Sequence, residues 1–220
     1  MLILSHRGFW TRPEEKNGWR AFERSFEEGF GLETDVRDAL GDLVVSHDPP
    51  LAGDSPVRLV DFLDLYLSSG ARGKQLPLAL NVKADGLCDA IDAELRSRDI
   101  SEAFVFDMSV PDMRSYLARG HAVFTRQSDV ETLPAYYAES AGVWVDSFTS
   151  EGWFDHKLIG AHLAIGKRVC IVSSELHGRN HRPLWDRLQA QLDGLVADEN
   201  LMLCTDLPRD AAHFFESRVV

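Results

Sequence analysis

The feature that most constrains this chain is a recurrence. Eight short runs rich in Val, Ile, Leu and Phe, each ending in polar residues, punctuate it: "LILS" (2–5), "GLETDV" (31–36), "LALNV" (78–82), "AFVFD" (103–107), "AVFT" (122–125), "GVWVD" (142–146), "RVCIVS" (168–173) and "LMLCT" (201–205). Such runs have strand length. Segments with apolar residues at helical spacing lie between many of them. In "NGWRAFERSFEEGF" the residues Trp19, Phe22, Phe26 and Phe30 form one stripe, the core face of a first helix. "RLVDFLDLYL", "LCDAIDAELRSR", "VPDMRSYLARG" and "HRPLWDRLQAQL" read the same way. Strand alternating with helix implies parallel pairing through right-handed crossovers. Eight strands in 220 residues predict an α/β fold, a small (β/α)8 TIM barrel built as a single domain over residues 1–220. A doubly wound open sheet is the alternative. No GxGxxG follows the first strand, which weakens a dinucleotide site.

Charge and cysteine content narrow the function classes. The net charge of −12 opposes binding to a phosphate backbone, so nucleic acid is not an expected partner. A local basic pocket for a small phosphate stays open. Cys88, Cys170 and Cys204 are odd in number and form no CxxC pair, which fits reduced core thiols. The opening "MLILSHRG" has no basic segment and too short an apolar run for a signal peptide, and no stretch is long enough to be transmembrane. The expectation is a soluble, cytoplasmic protein of unknown oligomeric state.

In a (β/α)8 barrel, chemistry sits at the carboxyl ends of the strands. There the sequence places His6 and Arg7 after the first run, Glu33 and Asp35 on one face of the second, Asn81 and Lys83 on one face of the third, and Thr205 and Asp206 after the last. An oxygen-rich cluster of this kind suits a hard divalent cation, Mg2+ or Ca2+. "VRDALGDLVVSHD" extends strand two past Asp35, turns near Leu40–Asp42 with Gly41 supplying freedom, and returns as a short β-hairpin. That return sets His47 opposite a residue close to Asp35, with the register open by one. Two histidines beside a cation and a basic pair suggest phosphoryl transfer. One histidine takes a proton from the attacking oxygen and the other gives one to the leaving oxygen. Arg7 and Lys83 face the non-bridging oxygens.

The ordered set "HRG", "ETDVRD", "LVVSHD", "LNVK" and "CTDLP" resembles the glycerophosphodiester phosphodiesterase family, within the phospholipase C-like TIM-barrel phosphodiesterases, over residues 3–208. The resemblance implies that His6 and His47 are the acid/base pair, that Glu33 and Asp35 hold the metal, and that Arg7 and Lys83 contact phosphate. It implies a small-molecule phosphodiester substrate, a glycerophosphodiester or related head group of lipid metabolism, often cleaved through a cyclic phosphate. Two alternatives share the site: a lyase acting on lysophospholipids or sphingolipids, and a phosphate-ligand binding barrel impaired in catalysis.

The chain departs from the family pattern in three places. Asn81 stands where an acidic ligand is usual, giving a neutral oxygen and one negative charge less. The insertion that often follows the "HD" is short, which favours a more open mouth and a larger or lipid-like head group. "PENT" appears as "EEKNGW", with Lys16 for Glu and Asn17 kept. Further along, Arg126, Trp144, Asp146, His177 and Arg179 fall at strand ends or in the loops that follow. Of these, Arg126, Trp144 and His177 are candidates for substrate contact, and Glu175 is a candidate for the missing charge at the metal. His121, His156, His162, His181 and His213 are expected at the surface.

Overall fold

The computed structural model of the protein describes residues 1–191 and 199–216. The chain divides into two compact units, Ser5–Val123 on one hand and Met1–Leu4 with Phe124–Val220 on the other. The boundary falls inside β1 (Leu2–His6), whose last two residues belong to the first of these units.

The Ser5–Val123 unit continues through α1 (Trp19–Glu27), β2 (Gly31–Ala39), β3 (Asp42–Val45), β4 (Val57–Arg58), α2 (Leu59–Ser68), β5 (Leu78–Val82), α3 (Cys88–Ser97), β6 (Ala103–Phe106) and α4 (Val110–Ala118). β2 neighbours β1 and pairs in parallel with β5, setting Asp35 opposite Asn81. β5 pairs in parallel with β6. All five residues of β5 are buried, as a strand covered on both faces requires. Phe22 and Phe26 on α1 are fully buried and meet Phe62 and Tyr66 of α2, with ring centroids 4.8 Å (Phe22–Phe62) and 5.6 Å (Phe26–Tyr66) apart. Trp19, expected on the same stripe, is 44% exposed. It opens the helix, and a first-turn side chain leans towards the N-terminus, past the packed face. Phe30 lies beyond the helix but is buried, edge-on to Phe9.

The hairpin anticipated after strand two is present. β2 and β3 pair antiparallel from Val36↔Val45 to Ala39↔Asp42, and β4 adds a short third strand. The turn is Leu40–Gly41, with φ of +53° and +91°. Positive φ at both central residues is the type I′ turn, which matches the twist of the flanking strands. Glycine takes that conformation freely. For leucine it costs about 1 kcal/mol.

The other unit runs through β7 (Phe124–Gln127), β8 (Gly142–Val145), α5 (His156–Ala164), β9 (Arg168–Val172), α6 (Arg182–Gln191), β10 (Leu201–Thr205) and α7 (Pro208–Glu216). Its strands are adjacent in the order β7, β8, β9, β10, β1, and the pairs from β7 to β10 are parallel. Residue 192, which ends the "HRPLWDRLQAQL" reading, lies outside the described residues. α5 and α7 escaped the sequence reading; α5 is short and interrupted by Gly160, and α7 begins on Pro208. Strands β1, β2 and β5–β10 therefore follow the (β/α)8 order, with a helix after each except β7, which runs to β8 through residues 128–141 without one, and with β3 and β4 as the extension of β2.

Two histidines differ from the surface expectation. His162 is 4% exposed, with Nδ1 2.7 Å from the Tyr137 hydroxyl and Nε2 2.9 Å from Gln127 Oε1. Both nitrogens are satisfied, which is what allows the ring inside. His121 is largely covered, its Nε2 3.1 Å from Asp92 Oδ1. Cys88, Cys170 and Cys204 are buried thiols. No helix among the described residues is long and apolar enough to cross a membrane.

Asp129 organises the loop after β8. Its carboxylate accepts from the backbone N–H of Phe148 at 2.8 Å, Thr149 at 2.7 Å and Ser150 at 3.1 Å, and from the Thr149 hydroxyl. These bonds favour the charged form and hold the carboxyl well below the usual carboxylate range. The stabilisation is therefore complete above the unfolded pKa near 4 and fades as pH falls through the lower folded value. Asp129→Asn is expected to melt a few degrees below wild type at pH 7. The gap should narrow as pH is lowered below about 4, read by thermal denaturation across pH.

Candidate active site

The site is assembled at the ends of β1, β2 and β5, all within the Ser5–Val123 unit. "HRG" turns the chain sharply after β1. Arg7 has φ of +57° and Gly8 of +84°. A Cβ at Gly8 would lie 2.7 Å from Ala21 Cβ and 2.9 Å from the Ala21 carbonyl carbon, so only glycine lets the turn rest on α1. The turn is pinned on both sides. Arg7 N donates to Glu33 O at 2.8 Å, and Phe9 N donates to Ala21 O at 2.9 Å. Asn17 N, also at positive φ, donates to Arg7 O at 2.9 Å.

Glu33 and Asp35 share a face of β2, and both are essentially buried. Asp35 is the more heavily engaged. Its Oδ2 accepts from Asn17 Nδ2 at 2.9 Å and lies 2.9 Å from Arg7 Nε, while its Oδ1 lies 3.3 Å from Lys83 Nζ. The Arg7 and Lys83 contacts are close charge pairs without hydrogen-bond alignment. Thr34 Oγ1 donates to Asn17 Oδ1 at 2.9 Å, so the Asn17 amide is held at both ends. Glu33 has weaker company: Arg7 N and Asn81 Nδ2 at 3.3 Å, and His6 Nε2 at 3.9 Å. Burial, and then the neighbouring Asp35, push the Glu33 carboxyl above the ordinary carboxylate value, against the pull of His6, Arg7 and Lys83.

Asn81 faces Asp35 directly across the β2–β5 ladder and is 8% exposed. Its Nδ2 serves Glu33, and its Oδ1 is buried without a hydrogen-bond partner. An orphaned amide oxygen beside two buried carboxylates makes a hard-oxygen donor set, and it fits a divalent cation such as Mg2+ or Ca2+. Among the described residues no group of three or more His, Cys, Asp or Glu side chains has the geometry to hold a metal ion. The fit therefore depends on the amide.

His47 follows the hairpin. Ser46 N donates to Asp35 O at 3.1 Å, which settles the register: His47 stands one residue past the partner of Asp35. Arg37 Nη1 donates to His47 O at 2.9 Å. The ring is half exposed, with Nδ1 3.0 Å from Asp48 Oδ1. A carboxylate only accepts, so this contact assigns the proton to Nδ1 and leaves Nε2 as the outward base. Neither the Asp48 partnership nor the Asn17 bridge was read from the sequence. The adjacency in "HD" is the only local signal of the first, and the second joins residues 18 apart in sequence.

The remaining candidates belong to the other unit. Glu175 is taken up locally, accepting from Asp206 N at 3.0 Å and bonding the hydroxyls of Ser173 and Thr205. Arg126 pairs with Glu131 and lies 5.3 Å over the Phe148 ring. Trp144 is buried on β8. His177 Nε2 is 2.7 Å from Asp146 Oδ1, with Phe148 edge-on at 5.5 Å, and Arg179 Nε donates to Glu151 at 2.7 Å.

No protein-family model and no curated protein sequence matches this chain. Solved structures do. A glycerophosphodiester phosphodiesterase from Parabacteroides distasonis aligns over 100% of this chain and 98% of its own, with a TM-score of 0.70 at 14% identity. One from Agrobacterium tumefaciens aligns over 96% and 99%, with a TM-score of 0.66 at 17% identity. A phosphodiesterase from Oleispira antarctica, in complex with the product sn-glycerol-3-phosphate, aligns over 98% and 97%, with a TM-score of 0.68 at 15% identity. Likeness at such identities is a likeness of fold, and it bears out the TIM-barrel reading: the chain has the (β/α)8 fold of these phosphodiesterase structures.

Proposed function

We propose that the protein is a phosphodiesterase acting on a glycerophosphodiester or a related phospholipid head group, with a divalent cation, Mg2+ or Ca2+, at Glu33, Asp35 and Asn81. The observation that carries this reading is the convergence of Glu33, Asp35, His6, Arg7 and Lys83 around one buried acidic pair. The fold shared with solved phosphodiesterases supports it. A bound cation would supply positive charge at the non-bridging phosphate oxygens.

The chain's own groups do the rest. Arg7 and Lys83, held side by side on Asp35, present positive charge to the phosphate and offset the charge that develops in the transition state. His6 and His47 handle the protons. One accepts the proton of the attacking hydroxyl, from water or a neighbouring substrate alcohol, and the other donates to the departing oxygen. Glu33 and Asp48 stand beside His6 and His47 in turn, Glu33 Oε2 3.9 Å from His6 Nε2 and Asp48 Oδ1 3.0 Å from His47 Nδ1. Persistence of a cyclic phosphate, seen by phosphorus NMR, would assign the same site to a lyase.

Loss of either proton carrier is expected to lower kcat by roughly 10²–10⁴-fold. His6→Ala and His47→Ala should each do so on glycerophosphodiesters while far-UV circular dichroism and melting temperature stay near wild type. Turnover preserved in one variant would remove that histidine from the mechanism, and no turnover of any diester across a metal panel would count against the whole reading.

A second reading, a phosphate-ligand binding protein without turnover, is favoured by Asn81, since the amide leaves the cation site one charge short. Restoring a carboxylate separates the two. Asn81→Glu should raise divalent-cation affinity about tenfold in calorimetry. Unchanged cation affinity would place residue 81 outside the site. Tight binding of glycerophosphate with no turnover by the wild type would establish the second reading.

A further inference from the structure

Each histidine of the proposed mechanism has its backbone carbonyl held by a side chain that takes no part in the proton transfers. Trp10 Nε1 donates to His6 O at 3.2 Å, and Arg37 Nη1 donates to His47 O at 2.9 Å. The two bonds differ in what depends on them. His6 is the last residue of β1, and Arg7 N, next along, is fixed on Glu33 O at 2.8 Å. The sheet sets the place of His6 with or without Trp10. His47 stands two residues past the end of β3, where strand geometry no longer fixes the direction of a side chain.

The ring partner of His47 gives no outside reference. Asp48 is the next residue, its side chain is 87% exposed, and it moves wherever His47 moves. Ser46 closes the same short segment, its Oγ donating to Asp48 O at 2.7 Å. These bonds shape residues 46–48 internally. Two others tie the segment to β2: Ser46 N to Asp35 O at 3.1 Å, and the Arg37 bond on His47 itself. One tie leaves the segment free to swing about it, and the second removes that freedom.

Arg37 is placed for this. By alternation it shares the β2 face of Glu33 and Asp35. Its ladder partner is Val44, so a guanidinium that reaches the carbonyl of residue 47 extends back along the arm towards the Asp35 end. Its Nε is buried without a hydrogen-bond partner, which sets the charge in partly dry surroundings and strengthens its bond to the carbonyl dipole. The hairpin itself does not depend on that bond. Four residue pairs and β4 already stiffen it, and the atom that Arg37 holds lies beyond them.

We infer that Arg37 is a positioning residue for the proton transfer: it fixes His47 relative to Asp35, and so relative to the phosphate that Arg7 and Lys83 face, without touching substrate. That role rests on the phosphodiesterase reading; the ordering of residues 46–48 by Arg37 does not.

Two substitutions separate the bond from the bulk of the side chain. Arg37→Met keeps an unbranched apolar stem and removes the donor, and Arg37→Lys keeps a charged donor, which suffices for a single carbonyl. On a glycerophosphodiester, Arg37→Met should lower kcat about 10–100-fold with KM within about twofold of wild type. Arg37→Ala, a second variant without a donor, should behave the same way, and Arg37→Lys should recover most of the loss. Nitrogen-15 relaxation of the resting protein reads the ordering without substrate. In Arg37→Met the backbone amides of residues 46–48 should fall from order parameters of about 0.85 to below about 0.6, with those of β2 and β3 unchanged. Unchanged order at 46–48 overturns the inference whatever the kinetics. Order lost with kcat unchanged overturns the positioning role, and a rise in KM at constant kcat assigns Arg37 to substrate contact and overturns it as well. If wild type cleaves no diester while the order parameters respond as expected, the phosphodiesterase reading and the positioning role fall together, and the ordering by Arg37 stands.

Discussion

The candidate site depends on one carboxylate. Asp35 is buried on β2 and surrounded by Arg7, Asn17 and Lys83, which come from the turn after β1, the approach to α1, and the end of β5. A buried charge must be paired, and half-pairing it leaves a large desolvation cost unmet. The three segments are therefore tied to β2 by the same requirement. Arg7 leaves β1 in a left-handed turn that Gly8 alone can complete against α1. Asn17 bridges Asp35 and Thr34 and fixes the end of the loop that follows. The (β/α)8 alternation delivers the strand ends, and Asp35 gathers what they carry.

Glu33 occupies the same face under different terms. Its neighbours are weaker or more distant, and burial next to Asp35 raises its carboxyl. The Asp35 charge, on the same strand face, makes Glu33 harder to ionise. Arg7 and Lys83 relieve Asp35 first, since both lie against its oxygens. The part of the negative charge left for a cation is then centred on Glu33, with the unpartnered Asn81 oxygen next to it. The asymmetry divides the wall into a side that holds the basic groups and a side that offers hard oxygens.

Much of this was legible in the sequence, and the reason is period. Glu33 and Asp35, or Asn81 and Lys83, fall on one face because strand side chains alternate. The order of the apolar runs then puts those faces side by side, and the observed Asp35↔Asn81 pairing agrees. The hairpin could be read from Gly41, though only to within one residue, because the turn type and not the apolar pattern sets register. What periodicity does not encode was lost. Trp19 satisfies the helical spacing but opens the helix and escapes the core. His162 has the look of a surface histidine, and only Tyr137 and Gln127, brought close by other segments, make its burial affordable. Asn17 matters through Asp35 and Thr34, contacts between β2 and the loop before α1 that no local pattern announces.

The substitution at position 81 alters more than one ligand. With an acid there, three negative groups would face Arg7 and Lys83, and the pocket would carry a net negative charge in want of a cation. With Asn81, the two carboxylates and the two basic groups are equal in number, although Arg7 and Lys83 both lie against Asp35. Adding a divalent cation to a balanced buried site creates excess positive charge in a medium that screens it poorly. A phosphodiester anion offsets part of that excess. On the phosphodiesterase reading, cation and substrate phosphate therefore favour each other's binding more strongly here than in a site with a third acid. By linkage, each raises the affinity for the other by the same factor.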